Sequence, residues 1–185
     1  KAEYQRTGFS GVKSEDAIKE VHTPDIKTID ALAAFFKCGD DAFLKSIIYV
    51  ADGKPVMAVV PGGREVNEHK LANYLGAVNM ELAADAVVEE VTGAPVGFAG
   101  PVTDKKIRKI FDISVKDIPV AVTGANKKDY HYSCVIPGRD FEIKEETDIT
   151  TARAGDICPK CGAPMYEKKG IEVGHIFKLG YKYTK

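Results

Sequence analysis

The sequence predicts an α+β fold built on a mixed β-sheet. Apolar residues recur at helical spacing in some segments, whereas β-branched and aromatic runs bounded by turn residues occur in others. The two kinds of segment follow one another irregularly, so hairpins and helical crossovers must share one sheet. With 185 residues and 44% hydrophobic content, the chain can form one core of ordinary size and a small appendage.

The first predicted elements are a linker and two capped helices. Residues 1–13 are polar, contain glycine and show no period, which is typical of a linker. Ser14 can cap a short helix that reaches Val21 and stops before Pro24, because proline disfavours helical backbone in the preceding residue. Thr28 can cap the second helix. The apolar face of this helix has the spacing i, i+3, i+4 and i+7 and consists of Ile29, Leu32, Ala33 and Phe36.

A hairpin follows, and then helices alternate with short strands. Residues 43–50 and 55–60 are rich in β-branched and aromatic residues, and Asp52-Gly53 between them is a typical hairpin turn. The next elements, bounded by cap residues, are a helix from Asn67 to Tyr74 before Gly76, a strand at 78–82 and a helix at 84–91 before Gly93. Helices and strands therefore alternate irregularly in this part of the chain.

The second half is predicted to be mainly β-structure. Residues 93–103 contain three glycines and two prolines, so they form a loop. Strands are predicted at residues 107–113, 118–122 and 130–136. The chain then becomes charged and irregular over residues 142–153.

Composition excludes several classes of protein. The 26 basic and 27 acidic residues give a net charge of -1, so there is no overall basic field for nonspecific nucleic-acid binding, and any RNA contact must be local. No apolar run approaches the roughly 20 residues that a membrane-spanning helix needs. Four cysteines are too few for a disulfide scaffold. We therefore expect a cytoplasmic protein with reduced thiols and no membrane contact.

Two of the cysteines form a metal-binding pattern. Cys158 and Cys161 lie three residues apart on a Pro-Lys turn before Gly162, a spacing that allows two thiolates to share one tetrahedral ion. This is half of a zinc ribbon. The fingerprints of serine hydrolases, zinc proteases, phosphate-binding loops and dinucleotide-binding folds are absent from the sequence.

Two features could bind a ligand. Gly97 and Gly100, in the loop that ends at Pro101, would let backbone N–H groups approach a ligand closely, although a tight connection explains the same residues. Lys45 lies near the start of a strand, on the same face as Phe43, Ile47 and Tyr49. Its ammonium could therefore emerge at the strand end and hold a phosphate. A lysine that merely extends its charged group to solvent is the alternative.

Two further polar residues are candidates. His131, at the start of the last apolar strand, could hydrogen-bond a ribose hydroxyl or a water, but a lone strand histidine is also commonly structural. Thr23, beside His22 and before Pro24, could offer a hydroxyl to a ligand or could serve only in a turn. An activated aminoacyl ester needs little more than a positioned water and oxyanion donors. The four features alone do not identify an activity.

The order of several short motifs resembles the editing insertion of bacterial-type prolyl-tRNA synthetases. The segments are His22-Thr23-Pro24, Lys27-Thr28-Ile29, Leu44-Lys45-Ser46, Asn67-Glu68-His69-Lys70-Leu71, Thr92-Gly93-Ala94-Pro95-Val96-Gly97-Phe98, Gly100-Pro101 and His131-Tyr132. By this resemblance residues 14–150 form the editing domain. Residues 151–185 hold the half zinc ribbon and, from Gly170, the start of the returning class II aminoacylation core. Residues 1–3 resemble the end of the preceding core segment.

The resemblance implies a fold and an activity. The fold is a largely antiparallel, barrel-like sheet with surrounding helices, related to freestanding deacylases of mischarged tRNA. The activity is hydrolysis of alanine wrongly attached to proline tRNA. A pocket shaped for proline cannot strongly reject a smaller apolar amino acid, because each missing methylene is worth only about 1–3 kcal/mol. The implied partners are the acceptor end of proline tRNA and the rest of the synthetase.

The resemblance also assigns roles to residues. Lys45 would contact the 3′-terminal nucleotide, and the loop from Gly97 to Pro101 would shape the alanine pocket and act through its backbone. The catalytic residues would then be Lys45, His131, Gly97 and Gly100, and the substrate-binding residues Thr23, His22, Phe98, Ala99, Pro101 and again Lys45. No cofactor is implied for editing. No general base is obvious, so a ribose hydroxyl of the substrate would help to position the water.

Departures from the family pattern limit these expectations. The class II motifs for ATP binding are absent, so His175 lacks its partners and we expect no aminoacylation. Relatives with Cys158 and Cys161 pair them with a second Cys-x-x-Cys before the insertion. We expect this half-site to be empty or adventitiously filled unless the parent chain supplies that pair. The alternatives are an acceptor-end binding module without turnover and, from the cysteines alone, a zinc-ribbon interaction protein.

Overall fold

The structure, a computed structural model, describes residues 17–170 and 174. These residues divide into two compact units, 17–151 and 152–170. The larger unit contains α1 (Ile29–Phe36), α2 (Glu68–Leu75), α3 (Asp85–Thr92), β1 (Lys19–His22), β2 (Phe43–Ala51), β3 (Lys54–Pro61), β4 (Met80–Leu82), β5 (Arg108–Asp112), β6 (Ala121–Gly124), β7 (Tyr130–Val135) and β8 (Glu146–Thr147). The predicted linker, the Ser14 cap and His175 lie outside the described residues. The predicted domain boundaries remain predictions.

The strands form one mixed sheet, as predicted. Its order is β1-β7-β6-β2-β3-β5-β8, and β4 pairs with β2 beside this path. Four of the pairs are antiparallel, namely β1 with β7, β2 with β3, β2 with β4 and β6 with β7. The pairs β2 with β6, β3 with β5 and β5 with β8 are parallel. The α+β class with a largely antiparallel sheet is therefore confirmed.

The two edges of β2 are paired differently. Along one edge, β3 pairs without interruption from Leu44 to Ala51. Along the other edge, β6 pairs only at Phe43 and Leu44, and β4 pairs only from Tyr49 to Ala51. Lys45, Ser46 and Ile47 therefore face a gap between β6 and β4.

The predicted helix caps at Thr28 and Asn67 are confirmed. Thr28 Oγ1 accepts a hydrogen bond from Ala31 N at 3.3 Å, and Asn67 Oδ1 accepts one from Lys70 N at 3.0 Å. Both bonds satisfy N–H groups that a helix start leaves without partners. Gly76, with φ 66°, and Gly93, with φ 84°, end α2 and α3 in the left-handed conformation that glycine adopts without strain.

Three local predictions are wrong. Residues 19–22 form strand β1 rather than the end of a helix, because they pair with β7 in a register that no local pattern reveals. Strand β6 begins at Ala121 rather than at residue 118, since a 3₁₀ turn at Val115–Asp117 occupies the approach to it. The charged stretch after residue 142 contains the short strand β8, which pairs with β5.

Apolar clusters cover both faces of the sheet. Alternate residues of β2 point to opposite faces: Leu44 and Ile48 belong to a cluster with Val88 of α3, and Tyr49 belongs to another with Leu71 of α2. Leu32 of α1 packs with Phe43 and Val122 in a third cluster. The three helices thus each pack apolar residues onto the sheet.

The smaller unit is a tight turn around the cysteine pair. Cys158 N donates to Ala163 O at 2.9 Å, and Gly162 N donates to Cys158 O at 2.8 Å. Gly162 has φ 70°, a left-handed conformation that favours glycine.

Within the described part of the chain, no helix is long and apolar enough to cross a membrane.

Candidate active site

A cavity of about 350 Å³ lies at the gap in the edge of β2. Lys45 and Ser46 of β2 line it, with Thr123 and Gly124 of β6 and His131 of β7. The other walls come from α1, α3 and the loop that contains Gly97 and Ala99. Most lining side chains are small or apolar, including Ile48, Ala83, Val88, Ala99 and Val122. The cavity therefore suits a small apolar group with polar atoms at its edge.

His131 is a buried histidine of this cavity. It is 2% exposed, and its Nδ1 lies 2.6 Å from Oγ1 of the fully buried Thr23. Burial lowers the pKa of His131 from 6.5 to about 4, because the charged imidazolium would lose its hydration. At neutral pH the ring is therefore uncharged and offers one donor and one acceptor. Thr23, a predicted site residue, does not line the cavity but contacts His131, which does.

Lys45, a predicted site residue, lines the cavity and already has a partner. Its Nζ donates to Glu65 Oε1 at 2.7 Å, and the two side chains are 22% and 77% exposed. An exposed pair of this kind contributes only about 0–1 kcal/mol, since water screens it. An anionic ligand can therefore take the place of Glu65.

The predicted loop divides into a part that lines the cavity and a part that holds it. Gly97, with φ 99°, and Ala99 line the cavity, whereas the side chain of Phe98 is fully buried, with its ring centroid 5.6 Å from that of His131. The N–H groups of Gly97 and Ala99 have no hydrogen-bond acceptor among the described residues. Neither N–H is therefore taken by another described residue.

Gly100 and Pro101 are buried behind this lining. Gly100 N already donates to Asn126 Oδ1 at 2.9 Å, so this N–H is not available to a ligand as the sequence-based expectation required. A Cβ added at Gly100 would lie 1.9 Å from Gly124 O, so only glycine fits against β6. Pro101 O accepts from Lys109 Nζ at 2.8 Å. Both residues support the loop and do not line the cavity.

His22 lies apart from the cavity lining. It is exposed, and its ring centroid lies 4.9 Å from that of Tyr130. Strand alternation explains this placement, because Tyr130 and His131 point to opposite faces of β7. His22 remains a predicted substrate contact without a position in the cavity.

The structure also adds residues that the sequence did not single out. Lys27 lines the cavity, and its Nζ lies 5.8 Å from the centroid of the Phe98 ring. Ser46 Oγ is buried with no hydrogen-bond partner among the described residues. Thr123 Oγ1 donates to Leu44 O at 3.1 Å and joins β6 to β2 below the gap. Of these three residues, Lys27 and Ser46 belong to the short motifs quoted above, beside Thr28 and Lys45. The sequence offers no separate reason to assign either of them a role.

A family model decides the relationship. Residues 23–141 match the model of the aminoacyl-tRNA editing domain. The chain belongs to this family. The match includes Thr23, Lys45, the loop at 97–101 and His131, so the whole cavity lies within the editing domain.

Relatives of the editing domain in this chain are proline--tRNA ligases. The protein of that name from Brachyspira hyodysenteriae is 50% identical over 173 residues, which cover 92% of this chain and 30% of the relative. The one from Syntrophus aciditrophicus is 47% identical over 168 residues, covering 91% and 29%. The chain thus spans about 30% of the length of these curated relatives.

A solved structure has the same editing-domain fold. It is described as a candidate trans-editing enzyme for prolyl tRNA synthetase, and it is 17% identical to this chain with a TM-score of 0.65. The similarity covers 73% of this chain and 87% of that one. At this identity the similarity establishes the fold alone.

The cysteine pair is the predicted metal half-site. Cys158 and Cys161 are free thiols, and backbone N–H groups of Lys160 and Cys161 lower the pKa of Cys158 by stabilising its thiolate. Among residues 17–170, no group of three or more histidine, cysteine, aspartate or glutamate side chains could hold a metal ion. A complete zinc site would need further ligands from elsewhere.

Proposed function

We propose that the cavity hydrolyses alanine from mischarged alanyl-tRNA(Pro), as the editing domain of a proline-tRNA ligase. The observation that carries this proposal is one cavity with three properties. It has a small apolar lining, two unpaired backbone donors at Gly97 and Ala99, and the cations Lys27 and Lys45 at its edge. These are the parts that bind a small aminoacyl group on a phosphorylated ribose.

The size of the lining supports alanine as the amino acid. The small apolar side chains of Ala83, Val88, Ala99 and Val122 line the cavity and would contact the methyl group of an alanyl ester. The synthetic site of a proline enzyme has the opposite problem, because it cannot exclude a smaller amino acid by more than about 1–3 kcal/mol per missing methylene. A second, smaller site therefore completes the discrimination.

Lys45 supports binding of the phosphate of the 3′-terminal nucleotide. Lys45 lines the cavity and its side chain is partly exposed, so its weak pair with Glu65 could be exchanged for a phosphate oxygen. Lys27 lies near the same edge and adds a second positive charge. The contact is local, in keeping with a net charge of -1 for the whole chain.

The reaction needs little covalent participation from the protein. Water adds to the ester carbonyl carbon, the bond to the ribose oxygen breaks, and a proton from the water moves to that oxygen. The N–H groups of Gly97 and Ala99 would stabilise the oxyanion. Neutral His131 would hydrogen-bond the substrate, and a ribose hydroxyl would position the water, since the low pKa of His131 makes it a weak base.

The proposed partners follow from this reaction. They are the acceptor end of proline tRNA and the remaining part of the ligase, in the cytoplasm. Editing of this kind calls for no cofactor. Zinc would bind at Cys158 and Cys161 only with a second cysteine pair from the parent chain.

The test is hydrolysis of alanyl-tRNA(Pro) and prolyl-tRNA(Pro) by this chain and by Lys45→Ala. We expect selective hydrolysis of the alanyl ester, and a loss of about 10²-fold in Lys45→Ala, since a charge-assisted phosphate contact is worth roughly 1.5–3 kcal/mol. Lys116→Ala is the control, because Lys116 also pairs with a glutamate at 2.7 Å but does not line the cavity. Equal rates for Lys45→Ala and the unmodified chain would overturn the site. Unchanged tRNA affinity without hydrolysis would favour a binding module.

A further inference from the structure

Asn126 holds the cavity loop from the turn between β6 and β7. Its Oδ1 accepts from Gly100 N at 2.9 Å, and its Nδ2 donates to Gly100 O at 3.1 Å and to Val102 O at 2.8 Å. Its backbone N–H donates to Phe98 O at 2.9 Å. One residue thus binds the loop at three alternate positions.

The loop and β6 are in backbone contact at this point. A Cβ added at Gly124 would lie 2.3 Å from Phe98 O and 2.4 Å from Ala99 O. Because no side chain separates the two backbones, the hydrogen bonds of Asn126 set their relative position directly. Ala99, whose carbonyl takes part in this contact, is also a wall of the cavity.

We propose that Asn126 is a positioning residue that determines the largest amino acid the cavity admits. By holding residues 98–102 against β6, it keeps Ala99 in the lining of the cavity. Without these bonds the loop moves outward and the cavity accepts the larger prolyl group, so the domain hydrolyses the correctly charged tRNA. This inference rests on the proposed function.

A purely conformational role for Asn126 is the competing explanation. Its φ is 53°, in the left-handed region where asparagine and glycine are common. Asn126→Gly keeps that conformation and removes all three side-chain bonds. Asn126→Asp keeps the acceptor for Gly100 N and removes both donations. The two variants separate the conformation from the bonds.

Asp52 provides a matched control. It also has a positive φ, 47°, and its carboxylate accepts from Asn79 N at 2.9 Å and from Val78 N at 3.2 Å. It therefore holds a loop in the same way, but none of these three residues lines the cavity. Asp52→Gly should leave the selectivity for alanine unchanged.

The experiment measures hydrolysis of alanyl-tRNA(Pro) and prolyl-tRNA(Pro) together with amide hydrogen exchange at Gly100. In Asn126→Gly we expect the alanyl-to-prolyl rate ratio to fall about tenfold and Gly100 exchange to rise about tenfold or more, since at least one net hydrogen bond is lost. Asn126→Asp should also lower the ratio, because a carboxylate oxygen would replace Nδ2 beside the carbonyl oxygens of Gly100 and Val102. A merely structural role would lower both rates together and keep the ratio.

Each outcome is decisive. An unchanged ratio in both Asn126 variants, with alanyl hydrolysis intact in the unmodified chain, overturns the role of Asn126 alone. Unchanged exchange at Gly100 also overturns it, because the loop is then held by other contacts. Absence of alanyl hydrolysis in the unmodified chain overturns the proposed function, and the role of Asn126 in selectivity with it. If Asn126→Gly fails to fold, the ratio in Asn126→Asp decides.

Discussion

The two edges of β2 show how one strand serves both stability and a site. Along the β3 edge, eight consecutive residue pairs run from Leu44 to Ala51. Along the other edge, pairing stops after Leu44 and resumes at Tyr49, and the cavity occupies the interval. A gap in pairing leaves polar groups without backbone partners, which a folded protein tolerates where a ligand can satisfy them. Changes on the paired edge should therefore affect folding, and changes at the gap should affect chemistry.

The largest expected effect is on the paired side. Ile110 of β5 is fully buried and pairs with Ala58 of β3 in the cluster that contains Leu71. Ile110→Ala should lower the free energy of unfolding by about 2–5 kcal/mol, the range for large-to-small changes in a core. Urea denaturation measures this.

The hydrolysis rate of Ile110→Ala tests whether the two edges of β2 are independent. Ile110 does not line the cavity, so the rate per folded Ile110→Ala molecule should equal that of the unmodified chain below the unfolding transition. A loss of selectivity at full folding would show that the two edges are coupled, and the comparison would fail.

The second expected effect is on tRNA binding at the gap, through Lys27, a cation that did not stand out in the sequence. Lys27→Ala should weaken binding of the tRNA acceptor end about tenfold and reduce the salt dependence by about one released counterion, because one phosphate contact is lost. Its unfolding free energy should change by less than about 0.5 kcal/mol, as for other surface substitutions. The measurement is tRNA affinity as a function of salt concentration.

Lys144→Ala is the control for Lys27→Ala. Lys144 pairs with Glu142 at 3.1 Å, is 73% exposed and lies outside the cavity lining. Equal affinities for the two variants would remove Lys27 from the binding site.

The parts of the fold that sequence could predict are the local ones. The caps at Thr28 and Asn67 and the glycines that end α2 and α3 depend on a few neighbouring residues, and all four are confirmed. Strand β1 depends on pairing with β7, in which Val21 lies opposite His131. Its residues carry no period that could reveal such a distant partner, so the local pattern gave a helix.

The same distinction applies to the site. Lys45, Gly97 and His131 stand out as individual residue types, and the structure brings them to one cavity. Asn126 was invisible because its partner Gly100 is 26 residues away, and an Asn in a turn is ordinary in any sequence. Gly100 and Gly124 must be glycine because the loop and β6 approach each other closely there. The sequence alone does not show this contact.

The third prediction is a pH dependence of stability that comes from His131, which lines the cavity at the gap. Burial lowers the pKa of His131 from 6.5 to about 4, so the unfolded chain binds a proton that the folded chain excludes between these values. The contribution of neutral His131 to stability is therefore complete above about pH 6.5 and is lost as pH falls from 6.5 towards 4. Urea denaturation at several pH values between 7 and 4.5 would give the free energy of unfolding. Its slope against pH reports the protons that the chain takes up on unfolding.

Two variants isolate this slope. His131→Asn should show a smaller loss of stability over the same pH interval, because it has no proton to exclude. His69→Asn, on the exposed face of α2, should keep the slope of the unmodified chain. A slope that persists in His131→Asn would assign the pH dependence to other groups.

The smallest effect tests whether Glu65 competes with the ligand for Lys45. Glu65→Gln removes the negative charge but keeps the side-chain size, so Lys45 becomes more available and affinity for the acceptor end should rise about two- to fivefold at low salt. This matches the 0–1 kcal/mol of an exposed pair and should vanish near 1 M salt, where the Debye length is about 3 Å. Glu146→Gln is the control, because Glu146 pairs with Lys116 at the same 2.7 Å away from the cavity lining. If both variants bind the acceptor end equally, the ion pair at Lys45 does not limit binding, and the gap in β2 is open to a phosphate without exchange of Glu65.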